Sequence, residues 1–353
     1  MFTFSKFDRL CIGIILICVV YGLYLNSLAS ENIDSNYTFF VFKAYRLIWD
    51  WLFQYFNFPL IYLWILAFIA WLGYLFFLYF QRQKSVSAVL IKLTLGIGIH
   101  LAFFYLFWGF NYLRTPLVVR LELDGQITNE QIKLEAWRVT EKICSLRNEI
   151  TLFNEELLTP NIWIQPLHQS TSMVFKKWNI GNFPSAKVHL LKPHGSLLIF
   201  GAAGFYWPLS GQGHVDMGLH PLQWPFTYAH ELSHAMGWTD EGECNFIAYL
   251  ACIQSDSPWV KYSAELMYYR YLMAAVKRIF PDEYIILKEQ LSPEIAKDLS
   301  EINYALNRFP ELFPRFREWF YDAYLRMNRV NEGIYSYSNL VKWIILYSAK
   351  DIK

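Results

Sequence analysis

His230, Glu231 and His234, in the string AHELSHAMG, are the residues whose types and spacing point most directly to chemistry. Positions i and i+4 of a helix share a face, so imidazoles four apart can reach one metal ion. Glu231 is out of reach as a ligand in the same turn. It is well placed to take a proton from a water activated by that ion, the general-base role of a metal-dependent hydrolase. One zinc ion per chain is the expected cofactor. No CxxC pattern competes for it: Cys11 and Cys18 fall in the first apolar run, Cys244 and Cys252 are too far apart on one helix to bridge, and Cys144 has no evident partner.

A catalytic zinc takes three protein ligands and keeps one position open. Asp240, Glu241 and Glu243 all follow His234 closely. Gly237 suits the left-handed conformation that closes a helix, and a second helix is expected from near Asp240 to Pro258. Asp240 as N-cap and Glu243 three residues on would make a capping-box-like pair, which gives both a structural job. Glu241 has none, and it shares with Asn245, Ala248 and Cys252 a stripe of small and polar residues suited to close approach of the motif helix. The expected ligand set is therefore His230, His234 and Glu241, with Asn245 hydrogen-bonding the outer nitrogen of a ligand histidine. Asp240 and Glu243 stay open as alternative third ligands, Asp240 because HELSHAMGWTD also spells HExxHxxGxxD. Tyr337 is the leading candidate to stabilise an oxyanion, ahead of His214 and Tyr262. Arg270, in MYYRYLMAA, would either orient a substrate carboxylate or close a structural salt bridge.

The blocks WGFNYLR (108–114), GFYWPLSGQGHVDMGL (204–219), WPFTYAHELSHAMGWTDEGECNFIAYLAC (224–252) and GIYSYSNLVKWI (333–344) resemble a bacterial membrane family catalogued as domain of unknown function 3810. The resemblance implies a gluzincin-type relationship to the zincin metallopeptidases. Where better-known gluzincins carry E-x-x-x-D, this chain has Glu241 and Asn245. That change removes a charge beside a ligand histidine and implies a less activated metal water. The resemblance supplies no substrate.

The elements that must hold this site announce themselves through apolarity. The chain is 55% hydrophobic and 19% aromatic, and the excess lies at the front. Runs at about 10–30, 58–81 and 88–113 are long enough to cross a bilayer, the third with Lys92 near its start and His100 inside. A neutral His100 hydrogen-bonded between helices is the expected state. The aromatic stretch FFVFKAYRLIWDWLFQYF between the first two runs reads as an interfacial helix. Lys6 and Arg9, then Arg82, Lys84 and Lys92, mark the cytoplasmic ends, so residues 1–114 form a multi-pass membrane domain and 115–353 an extracytoplasmic one. The membrane is expected to be the bacterial inner (cell) membrane. A cleaved signal peptide ending near Ser27-Leu28-Ala29 is the rival for the first run, whose apolar core is longer than such peptides carry.

After residue 115 an amphipathic helix is expected from about Asn129 to Asn154, then extended segments at 187–191, 196–200 and 214–219, then helices from Pro225 onward. The fold class is α+β: three transmembrane helices, then a mostly helical zincin-like domain with a small mixed sheet. The zincin resemblance implies a substrate-binding edge strand just before the motif helix, and His214, Val215, Asp216 and Met217 are the stretch assigned that role. The expected activity is that of a membrane-anchored zinc metallopeptidase acting on a peptide or protein, with the lipid bilayer as its other partner. The alternative is a catalytically silent zinc-binding interaction or sensor protein. The complete HExxH argues against it, since a closed structural zinc has no use for Glu231. A net charge of +1 and no basic, aromatic-interleaved patch exclude nucleic acid, and the sequence carries no signal for an oligomeric state.

Overall fold

The computed structural model describes residues 4–81, 85–151, 159–178, 180, 186–315, 317–319 and 339–351. The chain forms two compact units, Met1–Thr115 with Trp207–Gln212, and Pro116–Tyr206 with Gly213–Lys353. The first boundary falls where the apolar runs end. The short segment 207–212, expected with the second domain, groups with the first.

In the first unit α1 (Lys6–Ser27), α3 (Ile61–Phe80) and α4 (Val86–Phe107) are each long and apolar enough to cross a membrane, and of their most apolar stretches only 22%, 6% and 6% are buried within the protein. Helices so apolar and so uncovered need hydrocarbon around them. Ser5 opens α1 by a capping box with Asp8, whose carboxylate also pairs with Lys92 of α4. The third span stops at Phe107 rather than Leu113, because Trp108 leaves the helical region (φ −159°) and Gly109–Leu113 continues as a 3₁₀ turn. His100 Nδ1 donates to Gly96 O of its own helix (2.6 Å), where an inter-helix bond was expected.

Between α1 and α3, Asp34–Phe42 winds as a π-helix that runs straight into α2 (Lys43–Phe53). The two faces of α2 differ: Tyr45 and Arg46 are buried, while Leu47, Ile48, Trp51 and Leu52 are exposed. Its inner face explains why 207–212 belongs to this unit. Tyr45 donates to Pro208 O, Arg46 to Gly211 O, and Trp49 Nε1 to Leu209 O (3.1 Å), while Leu60 N–H donates to Gln212 Oε1 (2.8 Å). A tight turn leaves its carbonyls unpaired, and here side chains of the membrane unit satisfy them.

The second unit runs α5 (Leu117–Arg120), α6 (Asn129–Thr151), α7 (Pro160–Lys177), β1 (Val188–Leu191), β2 (Gly204–Trp207), β3 (Gln212–Asp216), α8 (Trp224–Ala235), α9 (Glu241–Ile253), α10 (Pro258–Ile279), α11 (Pro281–Glu289), α12 (Pro293–Asn307) and α13 (Asn339–Asp351). α9 reads CNFIAYLAC, apolar nearly all round, and is buried on every side among α7, α8, α10 and α13. The domain is built around the helix that carries Glu241 and Asn245.

The sheet order is β1-β3-β2, with β1 parallel to β3 in the register His189↔His214 and β2 returning antiparallel through the 207–212 turn. This corrects the assignment of His214–Met217 as a substrate edge. β3 is the central strand, flanked on both sides, and every residue in it is buried. Asp216 is tied up structurally, its carboxylate accepting the N–H groups of Gly195 (2.7 Å), Leu197 (2.6 Å), Leu198 (3.2 Å) and Gly218 (2.6 Å). The same gathering of N–H groups turns 198–200 into a 3₁₀ turn where a strand was expected. The edge strands among the described residues are β1 and β2.

Candidate metal centre

Pro225 in the first turn pre-sets the entry of α8, and Gly237 (φ +84°) closes its far end. The reversal brings Trp238 O back to His234 Nδ1 at 2.8 Å. Asp240 then caps α9, its side chain accepting the Glu243 N–H at 2.9 Å. With Asp240 outside the helix, Glu241 is its first residue and points back at the two histidines. Glu243 does not complete a capping box: its carboxylate turns to the N–H of Leu117 (2.5 Å) at the start of α5.

Three donor atoms converge. His230 Nε2 and His234 Nε2 are 3.1 Å apart, and Glu241 Oε2 lies 3.0 Å from the first and 3.6 Å from the second. Asn245 Oδ1, one turn along α9, meets His230 Nδ1 at 2.9 Å. Both Nδ1 atoms thus face oxygen acceptors, and each Nε2 is left turned toward one carboxylate oxygen. Three such donors repel one another unless a cation or protons stand between them. Zinc with bonds of about 2.0–2.1 Å to a tetrahedral donor set holds those donors roughly 3.3 Å apart, which the three observed separations straddle. Imidazole and carboxylate are also the donors a borderline divalent ion takes. Among the described residues, these three are the ones whose ligand atoms lie close enough together to hold a metal ion.

The electrostatics match this arrangement. Burial opposes charge on His234, yet Cys244 Sγ and the Glu241 carboxylate hold its pKa well above the usual histidine value. Burial likewise opposes the Glu241 anion, and the two imidazoles hold it well below the carboxylate range. Cys244 Sγ is 3.3 Å from His234 Nδ1, the nitrogen turned away from the converging Nε2 atoms, and burial pushes its thiol up to about 12.

Glu231 is 3% exposed, and its Oε2 has no hydrogen-bond partner among the described residues. Burial pushes its carboxyl up to about 7, against the pull of His230 and His234. Two glycines of the sheet make room for it. A Cβ on Gly204 would stand 2.3 Å from Glu231 Oε1, and one on Gly213 3.0 Å from Glu231 Cβ. Alternation along β3 then sends His214 to the other face, where its Nδ1 meets Phe205 O (3.1 Å), so His214 is no oxyanion donor for this centre. Tyr262 is also committed elsewhere, donating to Asp298 Oδ2 at 2.7 Å. Tyr337 lies outside the described residues.

Sequence reasoning missed Tyr271. Burial first, then the Glu241 carboxylate, raises the pKa of this α10 phenol, while Arg270 and Asn245 lower it. Helical spacing within α8 and α9 carried no information about a third helix, and 24 tyrosines gave no way to choose one.

Fold and site together define a membrane-associated, mostly helical protein with a buried His-His-Glu cluster able to hold a metal ion. The chain belongs to the family described as Protein of unknown function (DUF3810), whose model matches residues 37–345 and so includes the whole cluster. No curated protein and no solved structure matches it.

Proposed function

We propose that this protein is a membrane-anchored zinc metallopeptidase. The observation that carries the reading is the convergence of His230, His234 and Glu241 on one point with the unpartnered Glu231 carboxylate beside it. A structural zinc would be closed by a fourth protein ligand, and none stands among the described residues near these three. Zinc held there supplies Lewis acidity toward a water and a carbonyl oxygen.

The chain's own groups account for the remaining chemistry. Glu231, held close to neutrality by burial, accepts the proton of the attacking water and returns it to the leaving amine. Asn245 and the Trp238 carbonyl fix the two rings with Nε2 inward. The Tyr271 phenol, raised in pKa and therefore protonated, is the hydrogen-bond donor available to a developing oxyanion. β2, whose Gly204 lies on Glu231, is the sheet edge against which a peptide would extend. The zincin relationship and the gluzincin form of the E-x-x-x-N pair belong to this proposal. So does the topology, with Lys6, Arg9, Arg82, Lys84 and Lys92 cytoplasmic and the second unit outside a bacterial cell membrane.

The test is metal analysis of the purified protein beside peptide release from membrane-protein and peptidoglycan-derived peptide mixtures. Wild type and Glu231→Gln are expected to carry one zinc each, with cleavage lost only in the variant. Tyr271→Phe is expected to keep zinc and lose roughly 10²–10³ in kcat. Equal cleavage by wild type and Glu231→Gln would sink the mechanism, and absence of zinc from both would sink the site.

A further inference from the structure

We propose that α2 is seated in the lipid–water boundary and holds the end of β2 there, so that the peptide taken by this edge strand is a membrane-proximal stretch of an integral membrane protein. The substrate half of this inference rests on the peptidase reading; the lipid half does not. α2 is amphipathic the wrong way round for water. Ala44, Leu47, Ile48, Trp51 and Leu52 recur at helical spacing, the pattern of a face that packs into a core, and Tyr55 extends it past the last turn. Yet this stripe is the exposed one, with Trp51 69% and Ile48 56% exposed. The ion pair of Arg46 with Asp50 lies on the other side, with Arg46 buried. A helix that turns its apolar stripe outward and its charges inward is built for an apolar surrounding. The uncovered spans on either side of it in the chain supply one, the lipid itself.

The inner face of α2 fixes its level in the bilayer. Tyr45 stacks on Phe107, the last residue of α4, with ring centres 4.3 Å apart. Only residues 81–85 separate the far ends of α3 and α4, so Ile61 and Phe107 come out on the same side, where the apolar spans stop. A helix resting on that end of the spans with its apolar stripe outward lies where an interfacial helix lies, and Trp and Tyr are the residues enriched there. The same place holds the end of β2. Trp207, its last residue, packs on Trp64 in the first turn of α3 with ring centres 4.6 Å apart. The turn that follows is tied to α2 through Trp49 Nε1 and Leu209 O (3.1 Å) and to the start of α3 through Leu60 N–H and Gln212 Oε1 (2.8 Å). A peptide added along β2 therefore has one end at the level of the lipid surface. The chain that presents an extended segment there is one that has just left the bilayer.

The experiment uses full-length protein in phosphatidylcholine vesicles, with Cys144, the one cysteine that is not buried, changed to serine. Ile48→Cys and Trp51→Cys are each labelled with a nitrobenzoxadiazole fluorophore. In vesicles whose acyl chains carry bromine, emission from both positions is expected to fall at least twofold against unbrominated vesicles, with aqueous iodide having little effect. Quenching by iodide and not by brominated lipid overturns the seat. Quenching by neither overturns it too, since a second copy or another protein then covers the stripe. The substrate class is read from turnover by the wild-type protein, co-reconstituted with a single transmembrane helix that carries a randomised tail, the cuts being mapped by mass spectrometry. They are expected to cluster within about ten residues of the helix, the reach of one added strand. Cuts spread evenly along the tail overturn the substrate class. Absence of any cut fails the peptidase reading and the substrate half with it, while the quenching measurement, which needs no cleavage, decides the lipid seat by itself.

Discussion

Gly204 and Glu231 are in direct opposition: a Cβ on the first would stand 2.3 Å from Oε1 of the second and 2.8 Å from its Cγ and Cδ. Gly213 repeats the relation from β3, with its missing Cβ 3.0 Å from Glu231 Cβ. The carboxylate therefore sits in a slot cut by two absent side chains. Burial in that slot gives Glu231 its raised pKa of about 7.

Gly204→Ala is expected to displace the Glu231 carboxylate while leaving the three metal ligands on α8 and α9 untouched. Misplacement of a reacting group by about 1 Å costs on the order of 100-fold. Peptide turnover should fall by about that factor with zinc content, measured by mass spectrometry, unchanged. Unaltered kcat in Gly204→Ala would show that Glu231 is not the base. Loss of zinc would show that the slot shapes the metal cluster rather than the base.

Substitution of the three acids after Gly237 separates their jobs. Glu241→Ala should lose bound zinc, because Glu241 supplies the third converging donor. Asp240→Ala removes a helix cap and should cost about 1 kcal/mol of stability, with zinc retained. Glu243→Ala strands the buried Leu117 N–H and should cost about 1–3 kcal/mol, again with zinc retained. Zinc loss in Asp240→Ala or Glu243→Ala but not in Glu241→Ala would reassign the ligand.

What the sequence made legible was what depends on spacing along one helix or on the apolarity of a run. The three spans, the break at Gly237, the cap at Asp240 and the shared stripe of Glu241 and Asn245 are all of that kind. What it hid depends on partners remote in sequence. The Trp238 carbonyl that orients His234 is backbone and has no residue signature. His214–Met217 takes the edge role in the sequence because it directly precedes the motif helix, as the substrate edge of zincin folds does, but in the fold His214 Nδ1 meets Phe205 O and Asp216 gathers four loop N–H groups. The turn 207–212 was read with the second domain because chain continuity suggested it, whereas the donors that satisfy its carbonyls come from α2.

Glu265 on α10 supplies a pH-dependent test of the helical core away from the metal cluster. It is 3% exposed, its Oε2 has no partner among the described residues, and its Oε1 lies 3.9 Å from Arg138, which is engaged more closely by Glu135. Burial pushes the Glu265 carboxyl from 4.5 to about 7; Arg138 pulls it down, Glu135 pushes it up, and Tyr249 and Lys142 pull it down by less. Because the folded value lies above the unfolded one, the folded protein holds this proton more tightly. Stability from this group is full below about pH 4.5 and is lost as pH rises through about 7. At 1.36 kcal/mol per unit, the ionised form is disfavoured by about 3 kcal/mol at pH 8. Glu265→Gln keeps the neutral shape, so it should raise the thermal midpoint of the detergent-purified protein at pH 8 and leave it nearly unchanged at pH 4.5. A lower midpoint for the variant at pH 8 would mean that attraction to Arg138 outweighs desolvation, reversing the sign.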